Sequence, residues 1–284
     1  MGILGGIDLF IFEIFLAAIA AGLIGSLVGL GGGVLIVPLL TIGFGLDIRL
    51  AIGASIVSVI ATSSGAAAAY VRDHLTNVRV GMLLELATSI GAITGAFVAI
   101  YLNAQVLFFL FGIILLVSIV PMIKKLGENL PGEVISDRLA IRMKLASSYP
   151  DRVSGGAVAY NVTNVPLGFG MMYVAGIVSG LLGIGSGALK VLAMDTAMRL
   201  PMKVSSATSN FMIGVTAAAS AGIYFWRGDV IPIIAAPVAL GILVGATVGA
   251  KLLVRFQNQT VRKLFLPILA VVALEMLLRG AGVL

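Results

Sequence analysis

Two glycine-rich stretches carry most of the chemistry that this sequence offers. The first reads Gly29-Leu30-Gly31-Gly32-Gly33 and runs into Val34-Leu35-Ile36-Val37-Pro38. The second reads Gly183-Ile184-Gly185-Ser186-Gly187 and runs into Ala188-Leu189-Lys190-Val191-Leu192. Each interrupts a long apolar run. Glycine permits positive φ and brings no side chain, so the main chain can turn sharply and approach a ligand. A helix that restarts after the break leaves its first N–H groups without intrahelical partners and aims its positive dipole end at the turn, which suits an anion. Lys190 sharpens this reading, because it places an ammonium inside an apolar segment where the first stretch has Ile36. An intramembrane lysine serves a site by default; the alternatives here are snorkelling to an interface or pairing with Asp195, about one turn away. Ser186 adds a hydroxyl. Farther on come Ser55, Ser58, Thr62, Ser63 and Ser64, and in the second half Ser205, Ser206, Thr208, Ser209 and Asn210. Small hydroxyl residues also serve plain helix packing. The candidate anion-binding set is Gly29, Gly31, Gly32, Gly33, Ser55, Gly183, Gly185, Ser186, Gly187, Lys190, Ser209 and Asn210. Glu85 and Glu275 are carboxylates read as lying near helix ends, where either could carry a coupling proton.

The elements that must position these residues follow from composition. The 284 residues are 60% hydrophobic and 11% charged, with mean hydropathy +1.16. A soluble domain has about 25% charged residues, so this chain belongs in a lipid bilayer as an all-α polytopic protein. Barrel strands would read as weak alternation, whereas these apolar runs are long and continuous. The net charge of +6 has no soluble basic domain to carry it, so nucleic acid is not an expected partner; loop placement under the positive-inside rule accounts for it. Cysteine is absent, which removes disulfides, thiol chemistry and cysteine-ligated metal. The single histidine, His74, falls in a basic loop and reads as solvated. With no metal cluster and no nucleophile–base pair, neither an enzyme nor a bound cofactor is expected. The glycine stretches are not phosphate loops: neither is followed by Gly-Lys-Ser/Thr or preceded by a strand. Asp8 and Glu13 near the start, without a basic n-region, suit a first span better than a cleaved signal. Trp226 and Tyr70 fall at helix ends, where an interfacial anchor is the ordinary role.

In order, the apolar segments are 8–28, a short 34–44 after the first break, 50–71, 80–102 and 106–123. Residues 126–161 form the one long polar stretch. The pattern then returns as 162–182, a short 188–198 after the second break, 204–225, 230–252 and 264–278. At an offset of 154 the pairs Gly22/Gly176, Gly29/Gly183, Gly31/Gly185, Gly33/Gly187, Ser55/Ser209, Thr62/Thr216 and Tyr70/Tyr224 are identical. Past a four-residue deletion the offset reads as 150, matching Gly91/Gly241 and Gly95/Gly245. The chain is thus a duplication: 1–125 is the first membrane repeat, 126–161 a cytoplasmic linker, and 162–284 the second repeat. Ile135, Leu139, Met143 and Ala146 recur at roughly helical spacing in the linker, predicting an amphipathic helix on the membrane face or an ordinary linker helix. Charge placement decides how the halves face. Counting the short segments as crossings gives five per half, about ten in all, and puts most basic residues on the linker side. Four per half would send Lys251–Lys263 outward. Two inverted repeats therefore fit the positive-inside bias better.

The duplicated Gly29-Leu30-Gly31-Gly32-Gly33 with Val37-Pro38, echoed by Gly183–Gly187, resembles the signature of the sulfite exporter TauE/SafE family of membrane permeases, over about Phe10 to Leu278. The second motif departs from it, with Ser186 for a glycine and Leu192 where Pro38 stands. The resemblance implies a carrier of sulfur-containing oxyanions, such as sulfite, sulfonates or sulfoacetate, across the bacterial inner membrane. The expected function is secondary transport by alternating access, with export favoured. The expected partners are a small sulfur anion and the lipid bilayer, and a homo-oligomer is compatible with this. An anion channel of the same architecture is the rival.

Overall fold

The computed structural model describes residues 2–28, 33–124, 134–151, 156–253 and 258–283. Its helices in chain order are α1 (Gly2–Val28), α2 (Gly33–Pro38), α3 (Ile48–Arg72), α4 (Val78–Tyr101), α5 (Ala104–Lys124), α6 (Arg138–Arg142), α7 (Val165–Leu182), α8 (Gly187–Leu192), α9 (Met202–Trp226), α10 (Pro232–Leu253) and α11 (Asn258–Gly280). A strand pair, β1 (Ser147–Asp151) and β2 (Gly156–Tyr160), follows α6. The short helices α2 and α8 each continue into a π-helical turn, Leu39–Gly43 and Ala193–Ala197. Among the described residues, four helices, α1, α4, α7 and α10, are long and apolar enough to cross a membrane. Helix is the dictated form, since hydrocarbon offers the backbone no partners and each peptide group must bond within its own segment. Capping marks several starts: Asn77 accepts from Val80 N, Asn103 from Val106 N, and Asp137 from Ala140 N.

The linker departs from the expected amphipathic helix. Among its described residues only the five of α6 are helical, and an antiparallel strand pair joins Ser147 with Tyr160 through Asp151 with Gly156. Lys144 takes positive φ, which ends the helix, and Pro150 removes a helix donor. Of the predicted stripe, Ile135, Leu139 and Met143 are exposed. The linker instead contributes Ala140, Leu145 and Tyr149 to a buried cluster that also holds Val162, Val80 and Leu84 of α4, Leu200 just before α9 and Val204 in its first turn. Asn77 Nδ2 donates to Leu145 O at 2.8 Å and to the Tyr160 hydroxyl at 2.9 Å. Burial pushes the Tyr160 phenol up from its ordinary range.

The duplication is carried by matching elements. The pairs α2 and α8, α3 and α9, and the two π turns lie 154 residues apart at both ends, and α10 and α11 begin 154 after α4 and α5. The expected shift to an offset of 150 does not occur. A Cβ on Gly91 would strike the Tyr173 carbonyl and Ile177 N, while one on Gly245 would strike the Ile19 carbonyl and Leu23 N; Gly176 faces Thr88 as Gly22 faces Ile242. Gly91 is therefore the partner of Gly245, not of Gly241. The glycines of α10 recur every four residues, Gly241, Gly245 and Gly249, so the sequence alone aligns equally well one step out of register.

These glycines let α1 lie on α10 and α4 on α7 at backbone distance, the close approach that small residues permit in lipid. The helices α3 and α9 pack along each other, and α5 packs on α11. A Cβ on Gly53, near the start of α3, would meet the Asp229 carbonyl just past the end of α9, and one on Gly214, mid-α9, would meet Ser63 in the second half of α3. These two equivalent helices thus run in opposite directions. One end of the bundle gathers Arg49, which donates to Leu102 O at 2.8 Å, the Arg227–Asp229 pair at 3.0 Å, and Gly282 beside Gln105. Burial pushes the Asp229 carboxyl up, while Arg227 and Arg49 pull it down. The other end gathers the 73–77 loop, the linker and the start of α9, joined by Asn77 N to Thr208 Oγ1 at 3.0 Å.

Candidate functional site

The second break is a run of left-handed backbone: Gly183 has φ 65°, Gly185 φ 70° and Ser186 φ 44°. Only glycine adopts these angles without strain, and a Cβ on Gly185 would lie 2.8 Å from Ile213 Cγ2 and 3.1 Å from Val59 Cγ1. The break orphans the last carbonyls of α7, and buried groups take them up. Gly183 N donates to Ser179 O at 2.8 Å, and the Tyr224 hydroxyl donates to Gly180 O at 2.6 Å and Leu181 O at 3.1 Å. Ser186 Oγ donates to Ala175 O at 2.6 Å, so this candidate hydroxyl is committed to the backbone of α7.

The start of α2 meets the end of α7. Ser55 Oγ on α3 lies 3.2 Å from Gly33 O and 2.8 Å from Gly183 O, so one hydroxyl holds the start of α2 and the end of α7 together. Its repeat partner Ser209 makes the matching contact, donating to Gly187 O at 3.2 Å. Both serines are fully buried. Asn210 is not drawn in, as its Nδ2 bonds back to Ser206 O at 3.0 Å. Of the remaining candidates, Gly33, Gly183, Gly185 and Gly187 are buried around this meeting point, whereas Gly29, Gly31 and Gly32 lie outside the described residues.

Lys190 is 0% exposed, which disposes of snorkelling. Its ammonium is aimed across at α9 and α4. Nζ donates to Thr216 Oγ1 at 2.6 Å, and Thr216 Oγ1 lies 2.8 Å from Glu85 Oε1. Ser89 Oγ donates to the same carboxylate oxygen at 2.8 Å, and Thr88 Oγ1 lies 3.3 Å from Thr216 Oγ1. Glu85 is therefore not a helix-end carboxylate. It sits about two turns into α4, 9% exposed, and its Oε2 has no hydrogen-bond partner among the described groups. The sequence reading missed the grouping of Glu85 and Thr216 with Lys190. The signal was present: one carboxylate inside an apolar span and one lysine inside another call for each other. Glu275, the other carboxylate, makes an ordinary surface pair with Arg279 at 3.4 Å.

A duplicated bundle of apolar helices, with two interrupted helices meeting in a buried polar centre, has the build of a polytopic membrane transporter. The chain belongs to the sulfite exporter TauE/SafE family, whose model matches residues 14–276. It is 26% identical to the probable membrane transporter protein YunE of Bacillus subtilis over 268 residues, covering 92% of this chain and 94% of that protein. It is 25% identical to the probable membrane transporter protein YdhB of the same organism over 244 residues, covering 86% and 89%. No solved structure gives a significant match.

Proposed function

We propose that this protein is a secondary transporter of small sulfur-containing oxyanions, such as sulfite, a sulfonate or sulfoacetate, across the bacterial inner membrane. Outward is the working direction, in keeping with the family's description, and the bilayer and the anion are its expected partners. Transport proceeds by alternating access between two inverted repeats of five segments each, with the linker cytoplasmic. The observation that carries this reading is the convergence of Gly33 and Gly183 on Ser55, with Lys190 one turn beyond the second break. Inversion is supported by the opposed directions of α3 and α9 and by the basic loops gathering at the linker end. Lys190 supplies the positive charge for the anion, and the glycine turns supply backbone approach. In this conformation the break and the ammonium are both buried, so substrate reaches them only when the helix contacts around them open, as alternating access requires.

The test is sulfite flux in proteoliposomes. Lys190→Ala should lower transport at least tenfold in protein that remains folded. Lys190→Arg should rescue only part, because a compact ammonium is replaced by a planar fork. Parent-like flux in Lys190→Ala would overturn the assignment. The channel reading is separated by counterflow: a carrier exchanges labelled for unlabelled anion and saturates, and a channel does neither.

A further inference from the structure

We infer that Glu85, Thr216 and Lys190 form a proton-coupling relay that makes the carrier move one proton together with each monovalent anion. This rests on the proposed role of Lys190 at the anion site and goes on to name the coupling ion.

The duplication is what singles the trio out. At the observed offset of 154, the repeat equivalents of Lys190 and Thr216 are Ile36 and Thr62 in the first half, and that of Glu85 is Ala239 in the second. Ile36 is fully buried, and Thr62 bonds back to Ser58 O and Val59 O of its own helix, as Thr216 does to Met212 O, but with no charged group in the places of Lys190 and Glu85. The equivalent grouping of α2, α3 and α10 thus completes the same packing without any charge, so the fold does not demand this pair. Burying an ammonium and a carboxylate is costly unless they compensate each other, and here they do so through a single hydroxyl. The other charged residues in the elements packed around them stand at element ends: Arg79 at the start of α4, Arg49 and Arg72 at the two ends of α3, Lys124 at the end of α5, Asp195 beyond α8 and Lys203 at the start of α9; α7 carries none.

Charge balance then gives the coupling. Empty, the site holds Lys190 as ammonium and Glu85 as carboxylate and is neutral. An arriving monoanion bound to Lys190 leaves one negative charge in excess. Protonation of Glu85 removes it, the new O–H forming on the carboxylate, whose Oε2 has no hydrogen-bond partner among the described residues. Thr216 accepts from Nζ, and its one proton has two acceptors within reach, Glu85 Oε1 at 2.8 Å and Met212 O of its own helix at 2.9 Å, so the hydroxyl can turn to the carboxylate or away from it and link the state of one charge to the other. The empty and the doubly loaded forms are neutral and can pass through the closed state. The singly loaded forms are charged and are held back by the cost of a buried uncompensated ion. Anion and proton therefore travel in the same direction, and the sum of their two gradients sets that direction.

The test uses the full-length protein in liposomes with a trapped pH dye, and methanesulfonate as probe because it carries no titratable proton near neutral pH. The parent should move one proton per methanesulfonate, accumulate it about tenfold per unit of imposed pH gradient, and ignore an imposed membrane potential. In Glu85→Gln the proton count should fall by one, whichever anion is carried, sulfite included, and the ratio of pH-driven accumulation to equal-concentration exchange should fall at least tenfold. Thr216→Val should slow coupled uptake at least tenfold, with Thr216→Ser restoring most of it. Methanesulfonate flux in the parent without proton movement, or an unchanged proton count in Glu85→Gln, overturns the relay. A parent that carries neither methanesulfonate nor sulfite overturns the transport reading beneath it.

Discussion

Removing both charges of the buried pair should cost about 3 kcal/mol less than the two single removals added together. The hydrogen bonds of 2.6 and 2.8 Å through Thr216 hold ammonium and carboxylate about 5 Å apart, and at an effective dielectric of about 20 the attraction is about 3 kcal/mol. Lys190→Met forfeits that attraction and strands Glu85 in the apolar interior, for a total loss of about 3–5 kcal/mol. Glu85→Gln strands Lys190 at a similar cost. The double variant Lys190→Met/Glu85→Gln buries no charge and keeps nearly the same volume, so it should recover about 3 kcal/mol relative to the sum of the two single losses. The assay is thermal unfolding in detergent, followed by loss of helical circular dichroism, for the parent and the three variants. Additive losses in this cycle would refute the electrostatic link between α4 and α8, whatever the transport data show.

Packing predictions follow from the glycines. Gly180→Val drives a side chain into the Ala92 backbone and should destabilise by more than about 3 kcal/mol. Gly170→Val, on the same helix but facing open space, should stay within about 0.5 kcal/mol; equal yields of folded protein for the two would contradict the α4–α7 contact. Gly185→Val should abolish sulfite flux while surface expression stays normal, because a β-branched residue at φ 70° is strained and presses on Ile213. Wild-type rates in a well-expressed variant would remove the turn from the site. With no native cysteine, an impermeant thiol reagent on intact cells should label Asn103→Cys and spare Asn258→Cys. Labelling of both would mean parallel repeats.

Much of this architecture was legible in the chain. Low charge with long apolar runs dictates helices in a bilayer, because hydrocarbon leaves the backbone no other partner. Two glycine breaks followed by short apolar segments mark a duplicated, interrupted helix, and the matching elements sit 154 residues apart as the first identities indicated. Ser55 and Ser209 were picked out as a repeated pair, and they make repeated contacts. Their hydroxyls, however, are spent on glycine carbonyls, as Ser186's is on Ala175 O. Residue type shows that a hydrogen bond can form, and only the fold shows where it goes.

What the tertiary structure alone decided has a common cause, which is that each decision depends on distance across the chain rather than along it. The register of α10 was degenerate in sequence, since glycines every four residues match themselves after a slip of one turn; the contacts of Gly91 and Gly245 with α7 and α1 resolved it. The linker's apolar spacing suited a helix, but docking of Leu145 and Tyr149 onto α4 and α9 drew it into a strand pair. Lys190 had Asp195 as its near neighbour in the chain, yet its partner through Thr216 is Glu85, more than a hundred positions earlier. Composition and periodicity determine which segments are buried. Which buried charge answers which is settled only when helices from different halves pack side by side, because the cost of an unpaired ion in the apolar interior is then met by whichever group the packing brings within reach.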